Sequence, residues 1–459
     1  MNLVAERLDY SPSSDWTSLI TRQPDKAWLT RKPRREVTSS TTRGWVSSRG
    51  LGAARHGARS SGSGSLSRDR LMTAFARWAA NGLVLLLALL AIRSEFPRIA
   101  YGDGLWDFGS FVASGRAAAE GLDPYGIYPL TLRVELPGFE SWNPNLNPPI
   151  SALLFQLFDV ADPETAFEVW RWISIAFYAA AVLLLIRRFW NLQAPILAVW
   201  AFALAGFWDT LFLGQIYLPL VFAGVAAWLL LERSRAVAAG ILIGVIVSLK
   251  PNFLVWPALL FLSGYRVSAL VSVGTATVIS AIPLVLYGPE VYQQWFALIA
   301  SDSARAFFLT NASFLGLATR AGVPMLGMLA GLALLSALAV WAYWLRPGVM
   351  AASALGLVAS LLASPLGWIH YTLFLLPVIW SYWHKPVMHI VALLLLVPVP
   401  FVIDQLTEPR WIQLTTGSVY GWAMVLCLVI LVANEWRGRR MGSQGKLALP
   451  RLCGVAAPS

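Results

Sequence analysis

The sequence predicts an all-α fold: a polytopic transmembrane helix bundle of about twelve crossings, with a long outer loop carrying an interfacial helix. Three observations predict it. The chain of 459 residues is 57% hydrophobic and only 13% charged, with a mean hydropathy of +0.61, too apolar for a soluble domain of this size. Apolar runs of about 15–23 residues recur between short polar turns, which is the length a bilayer core demands. The charge is lopsided: residues 1–71 carry 13 Lys and Arg against 6 Asp and Glu, so +7 of the net +11 lies ahead of the first apolar run. A basic segment in that place fits the excess of cations on the cytosolic side of membrane proteins and needs no nucleic acid partner.

Residues 1–71 are rich in Arg, Ser, Thr and Gly and lack the apolar core of a secretory signal. They are expected to form a disordered basic cytosolic tail, or to precede a true start at Met72. The first span is expected near 75–92. A polar loop follows from Arg93 to about Asn147, with seven acids and four arginines. Within it Phe108–Glu120 has helical character, with Asp107 placed to cap it and Gly121 to end it. Phe108, Phe111 and Val112 share one face, which predicts a helix lying along the membrane interface. The stretch 148–158 is short for a crossing and reads as a re-entrant or interfacial piece. Further spans are expected near 166–186, 194–212, 215–231, 236–250, 252–264, 267–287, 322–344, 349–363, 365–382, 387–403 and 417–433. A short basic tail, 435–459, closes the chain after the 72–434 membrane domain.

The basic residues orient this scheme. With the amino terminus inside and 148–158 not crossing, Arg187, Arg188, Arg233, Arg235, Arg266, Arg346, Lys385 and the Arg437–Arg440 cluster fall on the cytosolic side. The outer side keeps the loops 93–147, 288–321 and 404–416. Asp107, Asn147, Asp209, Gln215, Lys250 and His370 then reach the outer end of the bundle together. Ionisable groups in or near spans are costly, and several on one face mark a site.

Each of these residues has a functional and a structural reading. Asp107 can act as a base on a hydroxyl or simply cap a helix; Asp103 is its neighbour in a turn. Lys250 ends an apolar run and precedes Pro251, so it can hold a lipid phosphate at a broken helix or snorkel to the interface. His370, in Ser364-Pro365-Leu366-Gly367-Trp368-Ile369-His370, is a catalytic candidate or a satisfied structural group. Gln215 and Asp209 can bind sugar hydroxyls or cap turns. Arg116 projects from the loop helix as a ligand or a solvated side chain. Trp106, Trp142 and Trp368 offer stacking surfaces or interfacial anchors, Leu122-Asp123-Pro124-Tyr125-Gly126 is turn chemistry, and Asn147 precedes Pro148-Pro149. Asn311-Ala312-Ser313 matches a glycosylation sequon. Two cysteines, Cys427 and Cys453, and four histidines show no metal-ligand spacing, so neither metal nor cofactor is expected. No phosphate loop or dinucleotide fingerprint occurs.

In order, Asp107-Phe108, Ala117-Ala118-Ala119-Glu120-Gly121-Leu122-Asp123-Pro124-Tyr125, Asn147-Pro148-Pro149, Gly214-Gln215, Ala239-Gly240 with Gly244 and Lys250-Pro251, and Ser364-Pro365 through Trp368 and His370 form a pattern. It resembles the integral-membrane GT-C glycosyltransferases, specifically glycosyltransferase family 87, over about residues 75–430. The family includes polyprenyl-phosphate-mannose-dependent α-mannosyltransferases. Asn147 departs from the pattern, which commonly has Tyr before Pro-Pro. The resemblance implies a multi-pass enzyme of a bacterial inner membrane, with both termini cytoplasmic. It implies metal-independent, inverting transfer of a sugar, mannose first among candidates, at the extracytoplasmic face. The donor would be a polyprenyl-phosphate sugar and the acceptor a glycolipid or polysaccharide, within membrane lipid. Asp107 and His370 would be catalytic, Lys250 would bind the donor phosphate, and Gln215, Asp209, Asn147, Arg116, Trp106, Tyr125 and Trp368 would bind substrate. Two rival readings are a lipid-linked sugar transporter or flippase, and a non-catalytic glycolipid-binding protein of the same fold.

Overall fold

The structure, a computed structural model, describes residues 68–447 except 101–103, 137–138, 160–161, 192 and 302. The expected basic tail lies outside the described residues apart from 68–71, as do Asp103 and Cys453. The helices follow the apolar runs closely. They are α1 (Arg68–Ala100), α2 (Trp106–Ala119), α3 (Ile150–Phe155), α4 (Pro163–Arg188), α5 (Ala194–Ala203), α6 (Ala205–Leu213), α7 (Tyr217–Glu232), α8 (Ala236–Leu249), α9 (Val255–Leu262) and α10 (Arg266–Tyr287). There follow α11 (Glu290–Ser301), α12 (Phe314–Arg320), α13 (Pro324–Leu345), α14 (Val349–Leu362), α15 (Leu376–Tyr382), α16 (Pro386–Leu394), α17 (Val399–Ile403), α18 (Arg410–Leu414) and α19 (Val419–Leu447). The last runs past 434, so the membrane helix and the start of the expected tail are one element.

Among the described residues four helices are long and apolar enough to cross a membrane, or six if each of two bent pairs is one span. The bent pairs are α5–α6, broken by 42°, and α16–α17 with the turn after it, broken by 76°. The two breaks meet. The amide of Ala205, freed where the first pair breaks, donates to the carbonyl of Leu395 in the second at 3.1 Å. Irregular backbone at membrane depth is tolerated only when protein satisfies it in this way. At 148–158 the six-residue α3 and a single 3-10 turn at Gln156–Phe158 rise about 14 Å, short of the roughly 30 Å bilayer core.

Packing explains which sequences face which way. Gly240 and Gly244 stand one turn apart on α8, where a Cβ would lie 2.7 Å from the carbonyl of Ser268 and 2.6 Å from that of Ser272 on α10. Bare backbone lets the two helices close, the usual solution where lipid supplies no hydrophobic drive between helices. Outward faces keep large apolar groups exposed, such as Leu86 and Leu90 on α1, Val278 and Val285 on α10, and Met325 and Leu329 on α13. The ends of α1, α6, α8 and α10 meet the starts of α4 and α7 at one end of the bundle.

The fold is mostly helical, as expected, with one addition: Leu132–Leu136 (β1) and Phe139–Asn143 (β2) form an antiparallel hairpin, pairing Leu132 with Asn143 and Leu136 with Phe139. Both strands alternate partly buried and exposed side chains, the period of two that marks a half-buried ribbon. The loop helix α2 also differs from a helix lying on the interface, since eleven of its fourteen residues are buried. Phe108 packs on Phe155, Phe158 and Phe167 with ring centroids 5.1–5.9 Å apart. Protein, rather than lipid headgroups, covers its apolar side.

Candidate active site

The site is built around Asp107 in the first turn of α2. Trp106 opens that helix with φ +46°, a left-handed conformation costly for a bulky residue and concentrated at functional positions. Its ring rests on Phe212, 4.4 Å between centroids. Asp107 is 5% exposed and does not cap the helix, whose N-cap is Leu105 with no side-chain cap bond. Its oxygens instead accept from two amides: Oδ1 from Asn143 Nδ2 at 2.5 Å, and Oδ2 from Gln215 Nε2. Each oxygen keeps a second lone pair, so the carboxylate remains able to accept from a substrate hydroxyl.

Local structure delivers both amides. Gln215 follows Gly214, which closes α6 at φ +70°. A Cβ there would meet Phe167 at 2.5 Å and Phe108 at 2.6 Å, so only glycine turns the chain this close to α2. Asn143 ends the hairpin, which is tied to α2 by the Leu132 amide donating to Ser110 Oγ at 2.9 Å. Arg305, from a 3-10 turn at Ser303–Phe307, braces the hairpin from outside. It donates to Asn143 Oδ1 at 2.5 Å and to the Trp142 carbonyl at 2.9 Å, while Phe308 packs edge-on against Phe139. Burial pushes the Asp107 carboxyl up to about 6, against the bond from Gln215 and the nearby charge of Arg305. A carboxyl so placed is poised for proton transfer near neutral pH.

Lys250 ends α8, is 8% exposed, and does not snorkel. Its Nζ donates to Asn147 Oδ1 at 2.5 Å and lies 4.3 Å from the centre of the Tyr217 ring. Asn147 is held in turn. Its backbone and side-chain amides donate to Asn145 Oδ1 at 3.0 and 2.9 Å, and its carbonyl accepts from the Tyr125 hydroxyl at 3.1 Å. Trp295 of α11 donates to the neighbouring Leu146 carbonyl at 3.2 Å. Tyr217 links Lys250 to the third group, since its ring stacks on His370 with centroids 5.0 Å apart. His370 Nε2 stands 3.6 Å from Asp209 Oδ2, and Asp209 Oδ1 accepts from Arg98 at 3.1 Å. Arg98 is shared with buried Glu95 at 3.2 Å.

The structure therefore joins Asp107, Gln215, Asn147, Lys250, Asp209, His370, Trp106 and Tyr125 into one connected region. It leaves two predicted ligands aside. Arg116 points from the far end of α2 to Asp159, with Nε 2.8 Å from Oδ1 and its side chain 48% exposed. Trp368 bridges the backbone of Asn311 and lies near Phe308, two residues short of His370. Tyr125 acts through its hydroxyl on the Asn147 carbonyl, so it serves as a clamp. Asn311 is fully buried, and its amide nitrogen donates to the Ala306 and Pro365 carbonyls at 3.0 and 3.1 Å, which removes the sequon from consideration. Among the described residues no three His, Cys, Asp or Glu side chains gather as a metal site.

Sequence reasoning missed Arg305, Arg98 and the roles of Asn143 and Asn145. Arg98 carried a signal in Glu95, one turn before it at the end of the first span. Arg305 carried a weaker one, as a lone cation before the aromatic pair Phe307-Phe308.

No curated protein and no solved structure matches the chain. The model of glycosyltransferase family 87 matches residues 145–365. That span takes in Asn147, Asp209, Gln215, Lys250 and Arg305; Asp107 precedes it and His370 follows it, each held by hydrogen bond or ring contact to residues within it. Over that span, just under half of its length, the chain is similar to glycosyltransferase family 87.

Proposed function

We propose that this membrane glycosyltransferase moves a sugar, mannose foremost, from a polyprenyl-phosphate donor to a glycolipid or glycan hydroxyl at the outer face of a bacterial inner membrane. In this reading twelve segments cross the bilayer, the short helices α7, α8, α9, α14 and α15 included, and the basic ends of α4, α7 and α13 face the cytosol. The observation that carries the proposal is the buried Asp107 carboxylate. It is held by two amides, raised to about 6, and set at the bundle end where Lys250 also terminates its helix.

The acceptor hydroxyl donates to Asp107, and its oxygen attacks the anomeric carbon from the face opposite the phosphate. The new carbon–oxygen bond forms as the bond to the phosphate oxygen breaks. The hydroxyl proton passes to Asp107, and the polyprenyl phosphate leaves with the bonding electrons. Lys250, fixed by Asn147 beside Tyr217, is the cation aimed at that developing charge. His370 and Asp209, braced by Arg98, form the floor of the site, and the acceptor's neighbouring hydroxyls meet Gln215. The donor must be lipid-linked because nucleotide sugars are confined to the cytosol and an apolar bundle takes up a prenyl chain from the side.

The test is transfer by purified protein in detergent from polyprenyl-phosphate mannose to a glycolipid acceptor pool, with and without EDTA, beside Asp107→Asn. Transfer that persists in EDTA and falls by about 10²–10⁴ in the variant supports the reading. Unchanged transfer by a folded Asp107→Asn protein removes Asp107 from the chemistry, and donor binding without transfer favours the flippase.

A further inference from the structure

A cavity of ≈ 790 Å³ opens where the last turn of α2 and the Gly121–Pro124 turn face the end of α10 and the first turns of α11. Its size suits a small-molecule ligand. It is separate from the Asp107 cluster, because Ala118, which lines it, stands eleven residues along α2, about 16 Å of helical rise. Asp123, Gln156, Tyr287, Glu290 and Gln294 provide its polar groups, and among the described residues no lysine or arginine lines it. Two carboxylates without a cation repel a phosphate, so the donor's charged end is excluded. The remaining chemistry suits neutral hydroxyl groups: carboxylates and amide oxygens accept, and amide nitrogens and a phenol donate. Gln156 Nε2 donates to the Tyr287 hydroxyl at 2.7 Å, which leaves the phenolic proton directed to another acceptor. Glu290 and Gln294 make no side-chain hydrogen bond among the described residues.

We infer that this cavity is a second saccharide subsite, holding sugar units of the acceptor glycan several residues away from the hydroxyl that reacts. The inference rests on the proposed glycosyl transfer and specifies its acceptor as an oligosaccharide rather than a single sugar. One wall is already tied to the reacting centre, since Tyr125 after the Gly121–Pro124 turn and Trp295 of α11 both hold the backbone that presents Asn147 to Lys250. A glycan in the cavity therefore lies on the same rigid surface as the donor site.

The experiment is saturation-transfer NMR on the full chain in detergent, with Asp107→Asn included so that binding is read without turnover. The probes are tetrasaccharides of α-linked mannose, α-linked glucose and α-linked arabinofuranose, each beside its methyl monosaccharide. At least one tetrasaccharide is expected to bind, and the Glu290→Gln/Gln294→Ala double variant is expected to weaken it by fivefold or more while leaving the monosaccharides unchanged. Full transfer activity of that variant on a monosaccharide-bearing acceptor shows that it is folded. If no tetrasaccharide in the panel is bound in a manner sensitive to the double substitution, the subsite is refuted. Loss of transfer in Asp107→Asn is a separate readout, so the two readings fail independently.

Discussion

Arg305→Ala tests how the site sets the basicity of Asp107. Arg305 reaches the carboxylate through one intervening amide, Asn143, which it grips at 2.5 Å. Its charge is one of the influences holding the Asp107 carboxyl down against burial. At an effective dielectric of about 20, an attraction across one intervening amide is on the order of 2 kcal/mol. Water entering the space left by the guanidinium returns part of it. The expected result is that the acid limb of kcat/KM, near pH 6 in the parent, moves up by about one pH unit. The sign follows from the base role: the ionised carboxylate is the active form, so activity rises with pH through the limb. At pH 6 the ionised fraction falls from about half to about a tenth, and by pH 8 most of it returns. Arg305→Lys restores the position of the limb but not the full rate, because a single ammonium cannot grip Asn143 and the Trp142 carbonyl together. The assay is initial transfer rates from pH 5 to 9. A loss by one constant factor at every pH refutes the electrostatic role of Arg305, and an unchanged profile refutes its role altogether.

Three further outcomes are expected. The parent profile itself should show an acid limb near pH 6 that is absent from the residual activity of Asp107→Asn; a limb below pH 4.5 would mean that Asp107 behaves as an ordinary solvated acid. Lys250→Ala should lower transfer by about 10²–10³, with the loss seen in donor kinetics, and intact donor kinetics contradict the phosphate role. Gly214→Ala forces a side chain into a left-handed position against Phe108 and Phe167, at a combined cost of roughly 2–5 kcal/mol. It should lower the detergent melting temperature and displace Gln215, and a melt within a degree of the parent would show that the turn relaxes freely.

Much of this molecule is legible in its sequence because the bilayer forces long apolar runs, and most of those runs map onto helices within a few residues; the first and last helices overrun theirs, and 365–382 is helical only from Ile369, at first as a 3-10 segment. What the runs do not encode is where a span breaks. Nothing in the composition near Leu204 announces a 42° bend, since the break is stabilised by a carbonyl of Leu395, nearly two hundred residues away. The hairpin was readable in principle: Leu-Arg-Val-Glu-Leu and Phe-Glu-Ser-Trp-Asn alternate with a period of two around Pro137-Gly138. The polar residues near helix ends mark the candidate cluster because each is costly where it stands. Lys250, Asp209 and His370 fall at one end of the bundle once the basic loops orient the spans. Arg116 lies apart from the cluster because the side a helix cation takes is set only when its partner, Asp159, is folded beside it. Asn143 and Asn145 were illegible as actors, since an uncharged amide in a polar loop acquires its role only from the groups it bridges.

The bare-backbone seam between α8 and α10 has a consequence for what the enzyme accepts. Lys250 ends one of these helices, and Tyr287, on the cavity wall, ends the other. Where Gly240 and Gly244 sit on the Ser268 and Ser272 carbonyls there is no side chain to yield and no slack to slide. Under the two proposals above, the interval between Lys250 and the cavity is set by this seam. An acceptor glycan long enough to span it would engage both ends, and its chain length would be gauged by two glycines in a helix contact that never touches a sugar.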